Sequence, residues 1–397
     1  MLLRLQQGFT RVIKPCKLKR EDTIVHSDYD CFAGSAFGME GLVAGELRKL
    51  GANNVRTENG GVFFTASAEK LFILNLRMHF CDRLFIILCS DTCKTFDQLF
   101  KLVYQTDWNQ YFSHDESIDI SCKCTRSTLM SPRDCQSIAK KAIIEKIRHT
   151  TGQKLFSESG PSLPVHLSIR NDHLMIGLNT SGTALSRRGY RTWNGEAPLR
   201  ETLAAALVEL SGWRPGYPLH DPCCGTGTIL TEAALIAAGK APGIDRRFAM
   251  EELTCFQSVN FRQIRNQEAS CTDMNAVSLI SGSDIDASAL DLARRHICQA
   301  GIPSKKIPLD NIPLQDLTLN PENGFFICNP PYGERLGDQR QCRILYHDLF
   351  LLKQRHPTWK LCAISSDPAF ERSFGKKADK KRRLYNGRLE CVYYIYN

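Results

Sequence analysis

The chain has 397 residues, 43% hydrophobic and 23% charged, with 27 Gly and 17 Pro, which excludes a fibrous or disordered protein and leaves room for two or three domains. Its formal net charge is +9, from 51 Lys+Arg against 42 Asp+Glu, a modest bias that fits an ordinary basic protein or one that meets nucleic acid. No run approaches the roughly 18 to 20 apolar residues of a membrane helix, and the first 20 residues carry six Lys/Arg but no apolar core of a secretory signal.

Residues 1–30 follow no regular pattern and are read as a leader of undetermined structure. Cys31-Phe32-Ala33 reads as a strand. Gly38 to Leu50 reads as a helix, with Met39, Leu42, Val43, Leu47 and Leu50 on one face and Gly51 as its stop. Val62-Phe63-Phe64 follows as a strand, Ala68 to His79 as a helix and Leu84 to Leu88 as another strand. This alternation in so short a span predicts a ferredoxin-like unit over 31–94. A second α/β unit is expected over 95–185. A helix starts near Phe96, and Ile118 to Cys122 alternates as a strand. Arg133 to His149 carries Ile138, Ala142, Ile143 and Ile147 on one face, and Val165 to Ile169 pairs with His173 to Leu178. The basic residues of this unit, among them Lys123, Arg126, Arg133, Lys140 and Lys146, are also what a solvated helix face would carry.

From Ser186 onward strands and helices alternate, which predicts a doubly wound, mostly parallel sheet over 186–397. Ala197 to Leu210 reads as a helix with Leu199, Leu203, Leu207 and Leu210 inward. Pro218 to Asp221 reads as a short strand, Thr228 to Ala238 as an Ala-rich helix, and Leu279 to Asp284 as a strand. Asp286 is then the N-cap of a helix with Leu290, Ala293 and Ile297 buried, stopped by Gly301. Phe325 to Cys328 is a buried strand. Asn386-Gly387 marks a hairpin turn, and Leu389 to Tyr396 closes the sheet with an antiparallel edge. The 17 cysteines include no CxxC pair, and Cys122-x-Cys124 and Cys223-Cys224 have the wrong spacing for zinc. The expectation is reduced thiols in a cytoplasmic protein without a metal.

Chemistry-bearing residues collect at the predicted strand ends. Asp221-Pro222-Cys223-Cys224-Gly225-Thr226-Gly227-Thr228 opens a helix with glycines that let backbone approach a ligand. No lysine follows, which excludes a Walker A loop. Leu230 stands where a dinucleotide fingerprint needs its third glycine. The acid ahead of the glycines suits a ligand with a cationic amine and no phosphate, as in S-adenosylmethionine. Asp284, at the tip of the next strand, suits ribose hydroxyls, with Ile285 beside it. Asp316 can meet an adenine amino group, or is a loop-turn aspartate. The expected donor site is therefore Asp221, Cys223, Gly225, Gly227, Thr228, Asp284, Ile285, Asp316 and Asn329. In Asn329-Pro330-Pro331-Tyr332 two prolines stop the strand and lock the backbone. An amide oxygen, a carbonyl and an aromatic ring together receive a flat ring that bears an exocyclic amine. The expected catalytic set is Asn329, Pro330 and Tyr332.

The C-terminal half resembles the class I methyltransferase domain of bacterial THUMP-containing RNA methylases, and within them the 23S rRNA guanine-N2 methyltransferases. The resemblance rests on Ser186 to Arg191, Ala197 to Ala204, the loop from Asp221 to Thr228 with Glu232-Ala233-Ala234, Ala241-Pro242-Gly243, Asn329 to Gly337, Lys376 to Lys381 and Tyr385-Asn386-Gly387. The N-terminal half resembles the ferredoxin-like plus THUMP unit of the same proteins through Gly38 to Leu42 and Glu46-Leu47. Thr226 stands where the family usually has Ser, and His220 differs in kind and is given no role. The resemblance implies transfer of a methyl group from S-adenosylmethionine to an exocyclic nitrogen of RNA, rRNA foremost. It implies a base flipped from its stack onto Tyr332, and no covalent nucleophile. The eight Lys/Arg of Arg372 to Arg388 suit phosphate. Methylation of tRNA, N6 methylation of adenine, and a non-catalytic ribosome-assembly role remain alternatives; oligomeric state is not legible.

Overall fold

In the computed structural model the described residues are 28–111, 116–152, 158, 160–191, 199–331 and 339–397. Most of the leader, Ala197, Pro198 and the stretch from Tyr332 to Gly337 fall outside them. The elements run in order β1 (Tyr29–Gly34), α1 (Glu40–Lys49), β2 (Asn53–Glu58), β3 (Gly61–Ala66), α2 (Ala68–Arg77), β4 (Arg83–Thr92), α3 (Phe96–Gln105), β5 (Glu116–Thr125), α4 (Pro132–Thr151), β6 (Gly160–Arg170) and β7 (His173–Asn179). There follow α5 (Glu201–Ser211), β8 (Leu219–Asp221), α6 (Thr228–Ala238), α7 (Phe261–Ser270), β9 (Ile280–Ser283), α8 (Ala287–Gln299), β10 (Leu309–Asp310), β11 (Phe325–Cys328), α9 (Gln339–Arg355), β12 (Lys360–Ser365), α10 (Phe370–Phe374), β13 (Lys380–Asn386) and β14 (Leu389–Tyr396).

Two compact units divide the chain. The first contains Phe85–Thr180 and Ala249–Ser258. Its strands lie in the order β4-β7-β6-β5, with β7 antiparallel to β4 and β6, and β5 parallel to β6. Asn171 and Asp172, both at positive φ, join β6 to β7, so the residues that tolerate a left-handed backbone make the hairpin turn. Helix α4 is set by chemistry at both ends. Ser131 accepts the Asp134 N–H, Pro132 fits the first turn, and Gly152 ends it at φ +73°.

The second unit contains Cys31–Leu84, Ser181–Phe248 and Val259–Asn397. Its N-terminal part orders β2-β3-β1. Strand β2 was not legible in the sequence, because Asn53–Glu58 is an exposed edge with no apolar alternation. Helix α5 begins at Glu201, since Arg200 is extended with ψ 141°; Ala197 and Pro198, where the sequence starts this helix, lie outside the described residues. A separate sheet in this unit orders β10-β9-β8-β11-β12-β14-β13. Its first five strands are parallel, and β14 and β13 are antiparallel. This is the predicted mostly parallel sheet with a C-terminal antiparallel hairpin. Under β11 the Phe326 and Trp359 rings stack at 4.5 Å. Any Cβ at Gly324 would sit 2.8 Å from the Trp359 ring, so that position takes only glycine.

A buried ionic cluster ties the two parts of this unit together. Arg188 pairs with Glu232 of α6 at 3.3 Å, and the two side chains are 3% and 0% exposed. The guanidinium also donates to the carbonyls of Met78, His79 and Leu185 at 3.1, 2.6 and 2.9 Å. The Tyr190 hydroxyl donates to Glu232 at 3.0 Å. Burial works against the Arg188 charge, but Glu232 outweighs it and holds the guanidinium above its usual range. Removing one partner strands the other in an apolar interior. Glu232→Ala is expected to lower unfolding free energy by about 3 kcal/mol or more, read as a shift of the urea midpoint. A loss below about 1 kcal/mol would contradict the buried pairing.

Candidate active site

The chain leaves β8, builds β9 and β10 to one side, and returns to β11 on the other side of β8. Strand order therefore reverses beside β8, where the connecting loops part and open a crevice above the carboxyl ends of the strands. Asp221 ends β8, Asp284 follows β9, and Asn329 follows β11. The acid–glycine loop, the second acid and the amide thus meet at neighbouring strand ends.

Asp221 is 1% exposed, and its Oδ1 accepts the Cys223 N–H at 3.1 Å. Burial pushes its carboxyl well above the usual carboxylate range, with a further push from Asp284. A cation delivered here would be charge-matched to a buried carboxylate. The loop turns tightly: the Gly227 N–H donates to Cys224 O at 2.8 Å. Gly225 and Gly227 hold φ +50° and +76°, and a Cβ on Gly227 would lie 3.0 Å from Ala293 Cβ on α8. Thr228 begins α6 and is buried, and its Oγ1 accepts from Arg191 at 3.4 Å. Arg191 pairs in turn with Glu201 at 3.1 Å.

Asp284 locks the loop to β9. Its Oδ2 accepts the Gly225 N–H at 2.7 Å and its Oδ1 the Asp286 N–H at 3.0 Å. Each oxygen keeps a second lone pair for a ligand hydroxyl. Ile285 is 76% exposed beside it, an apolar surface that can cover a flat ring. Asp286 caps α8 by accepting the Ser288 N–H at 2.9 Å. Asp316 is exposed, on the turn Leu314–Asp316 that follows β10. Arg355 of α9 fixes that turn through the carbonyls of Leu314 and Gln315.

Asn329 presents the clearest chemical demand in the site. Its side-chain Oδ1 is buried and has no hydrogen-bond partner among the described residues, and a buried acceptor left unpaired costs roughly 1–3 kcal/mol. An N–H donor entering the crevice would satisfy it. The segment is fixed from behind, because the Tyr346 hydroxyl of α9 donates to Pro331 O at 3.3 Å. Pro330 is buried; Tyr332 lies outside the described residues. The thiols nearby are poor nucleophiles: burial, then Asp221, push Cys223 and Cys224 up, and burial pushes Cys328 up.

Three contributors were missed in the sequence. Asn311 donates to the carbonyls of Asp284 and Ile285 at 2.9 and 3.0 Å and holds their turn. Gly282, inside β9, leaves room for Leu230, whose Cδ1 would lie 2.5 Å from a Cβ there; a glycine inside a strand was the available signal. His220, given no role above, bridges β8 to β9 through Ser281 Oγ at 2.8 Å and Ser283 Oγ at 3.0 Å.

Comparison with known proteins adds a second line of support. Residues 188–395 match an RMKL-like methyltransferase domain, 30–85 an RlmL ferredoxin-like domain and 93–179 a THUMP domain. The chain is 36% identical over 370 residues to the "Putative RNA methyltransferase YpsC" of Bacillus subtilis, covering 93% of this chain and 96% of that protein. It is 32% identical over 375 residues to the ribosomal RNA large subunit methyltransferase K/L of Shewanella frigidimarina, of whose length it spans 52%. The crystal structure of SMU.472, complexed with SAH, superposes with a TM-score of 0.86 at 36% identity, covering 93% of this chain and 98% of that one.

The bridge through His220 sets a pH dependence. Burial depresses its imidazole from 6.5 to about 3. As pH falls below 6.5 the unfolded chain takes up this proton before the folded one, so stability is lost between about 6.5 and 3. His220→Gln is expected to flatten that part of the stability–pH curve, measured from urea midpoints across a pH series. Identical slopes for variant and wild type would show that the ring is not held neutral.

Proposed function

This chain belongs to the RMKL-like methyltransferase family, and we propose that it methylates the exocyclic N2 of a guanosine in large-subunit ribosomal RNA, with S-adenosylmethionine as donor. The observation that carries the reading is the buried Asn329 Oδ1, without a partner among the described residues, at the switch point beside Asp221. An amine N–H on a flat ring satisfies that oxygen. RNA is favoured over DNA by the match to a THUMP domain. The choice of large-subunit rRNA rests on the name of the K/L relatives.

Bound S-adenosylmethionine supplies an electrophilic sulfonium methyl group. In this reading Asp221 takes the ammonium of the donor, and the backbone at Gly225 and Gly227 lies against its methionine part, with Cys223 and Thr228 lining it. Asp284 accepts from ribose hydroxyls, Ile285 covers the adenine and Asp316 accepts from its amino group. Asn329 Oδ1 and the Pro330 carbonyl accept the two N–H bonds of the target amine, which turns its lone pair toward the methyl group. The C–N bond forms as the S–C bond breaks, and the surplus amine proton passes to water. Alignment of two bound reactants supplies most of the acceleration, a contribution that reaches several kcal/mol. Tyr332 stacks on the flipped base.

RNA phosphate is assigned to the exposed edge strand β13. Lys381 and Arg383 there pair with Glu371 and Glu390 at 2.8 and 3.1 Å. Lys380 and Arg382 share the other face and have no ion pair among the described residues, which leaves their charge for phosphate.

Purified protein is expected to move labelled methyl from S-adenosylmethionine to unmodified rRNA, and digestion to yield N2-methylguanosine. N6-methyladenosine in the digest would replace guanine by adenine, and label only in tRNA would move the substrate. Asn329→Ala should lower kcat by about 10²- to 10³-fold while donor binding persists. Arg382→Ala should weaken RNA binding uniformly across sequences and reduce the salt slope by about 1; an unchanged slope would remove β13 from the interface.

A further inference from the structure

We propose that Cys122, Cys124 and Cys135 form a binding site for one thiophilic d10 cation, zinc(II) by preference, in the first compact unit. The spacing Cys122-x-Cys124 argued against a metal, but spacing along the chain takes no account of a third thiol from another element. Cys122 and Cys124 stand two residues apart on β5, so both project from the same face of the strand. Cys135 lies in the first turn of α4 and is fully buried. The three Sγ atoms lie within 4.8 Å of one another.

The distances fit tetrahedral thiolate coordination. Zinc–sulfur bonds of about 2.3 Å at tetrahedral angles put ligand sulfurs about 3.8 Å apart. Cys122 Sγ and Cys124 Sγ are already 3.8 Å apart. The third sulfur completes a facial set with a shift of about 1 Å or less, within reach of a small side-chain rotation. Cys122 and Cys124 are half-buried, which gives an entry path and leaves the fourth position open to water. Cys135 lies in the first turn of α4, where the partial positive charge of a helix N-terminus favours a thiolate.

Burial and then Cys124 push the Cys122 thiol up, and burial and then Cys124 push Cys135 up to about 12. Three neighbouring thiolates repel one another until a divalent charge lies between them. Each sulfur then loses its proton to solvent, so one cation enters and three protons leave, with no change of redox state. Three packed thiols can also be ordinary small core residues. That alternative does not call for thiols from two elements to gather within 4.8 Å of one another. The bound ion pins α4 to β5. It is independent of the methyl-transfer reading, because none of the three residues belongs to the strand-end site.

The test is titration of the reduced full-length protein with cobalt(II), then zinc(II). One equivalent of cobalt should produce a thiolate-to-cobalt charge-transfer band, bleached stoichiometrically by zinc, and zinc should release about three protons. Cys122→Ser, at a half-buried position, should weaken binding by at least about 100-fold, more than loss of an outer-shell partner does. Cys135→Ser should abolish the band, and zinc should raise Tm for the wild type but not for this variant. Cys271→Ser, an exposed cysteine of the other unit, should leave both readouts unchanged. An absent band at one equivalent, or a band that survives both Cys122→Ser and Cys135→Ser, overturns the proposal.

Discussion

Because the chain passes from β8 outward through β9 and β10 and then crosses back to β11, two sets of loops diverge above the carboxyl ends of adjacent parallel strands. Nothing in Asp221, Asp284 or Asn329 taken singly makes a site; each is a polar residue after an apolar run. The crossover puts them on neighbouring strands; Asp221 pairs with Gly282 of β9 and His220 with Phe326 of β11, so Asp284 and Asn329 both follow just beyond the level of Asp221. His220 adds a side-chain bridge one residue before Asp221, so the strand that carries the first acid is tied to the strand that carries the second. Asp284 then closes the arrangement through the Gly225 and Asp286 N–H groups.

Support for this geometry comes from helix α6. Thr228 and Glu232 lie one turn apart on it. Thr228 follows the acid–glycine loop and accepts from Arg191, while Glu232 holds Arg188 and Tyr190 in the interior. Arg188 reaches on to the carbonyls that follow α2. The orientation of the acid–glycine loop is therefore coupled to the ferredoxin-like segment through one buried guanidinium. Buried ion pairs are poor sources of net stability and better devices for enforcing one arrangement over others. Such a role suits a contact placed between two segments of a single compact unit.

Legibility followed burial and punctuation. Phe325 to Cys328 was readable as a strand because four apolar residues end at two prolines, and the loop from Asp221 to Thr228 because glycines stand between a strand and a helix. Strand β2 was invisible because its side chains face solvent and carry no alternation. Asn311 and Gly282 were passed over because their roles lie in contacts with residues some 26 and 52 positions away. For Asp316 the sequence left two roles open, and the structure places it exposed on a turn held by Arg355.

The sequence by itself determined the fold class, the parallel-to-antiparallel change at Asn386-Gly387 and the residue types gathered at strand ends, because these depend on local backbone preference and on the period of apolar residues. Only the tertiary structure decided which side chains share a site. The bridge at His220, the gathering of Asp221, Asp284 and Asn329 at neighbouring strand ends and the meeting of Cys135 with Cys122 and Cys124 all join residues from different elements. Long-range proximity follows from strand order and packing, and neither leaves a mark on the local pattern of the chain.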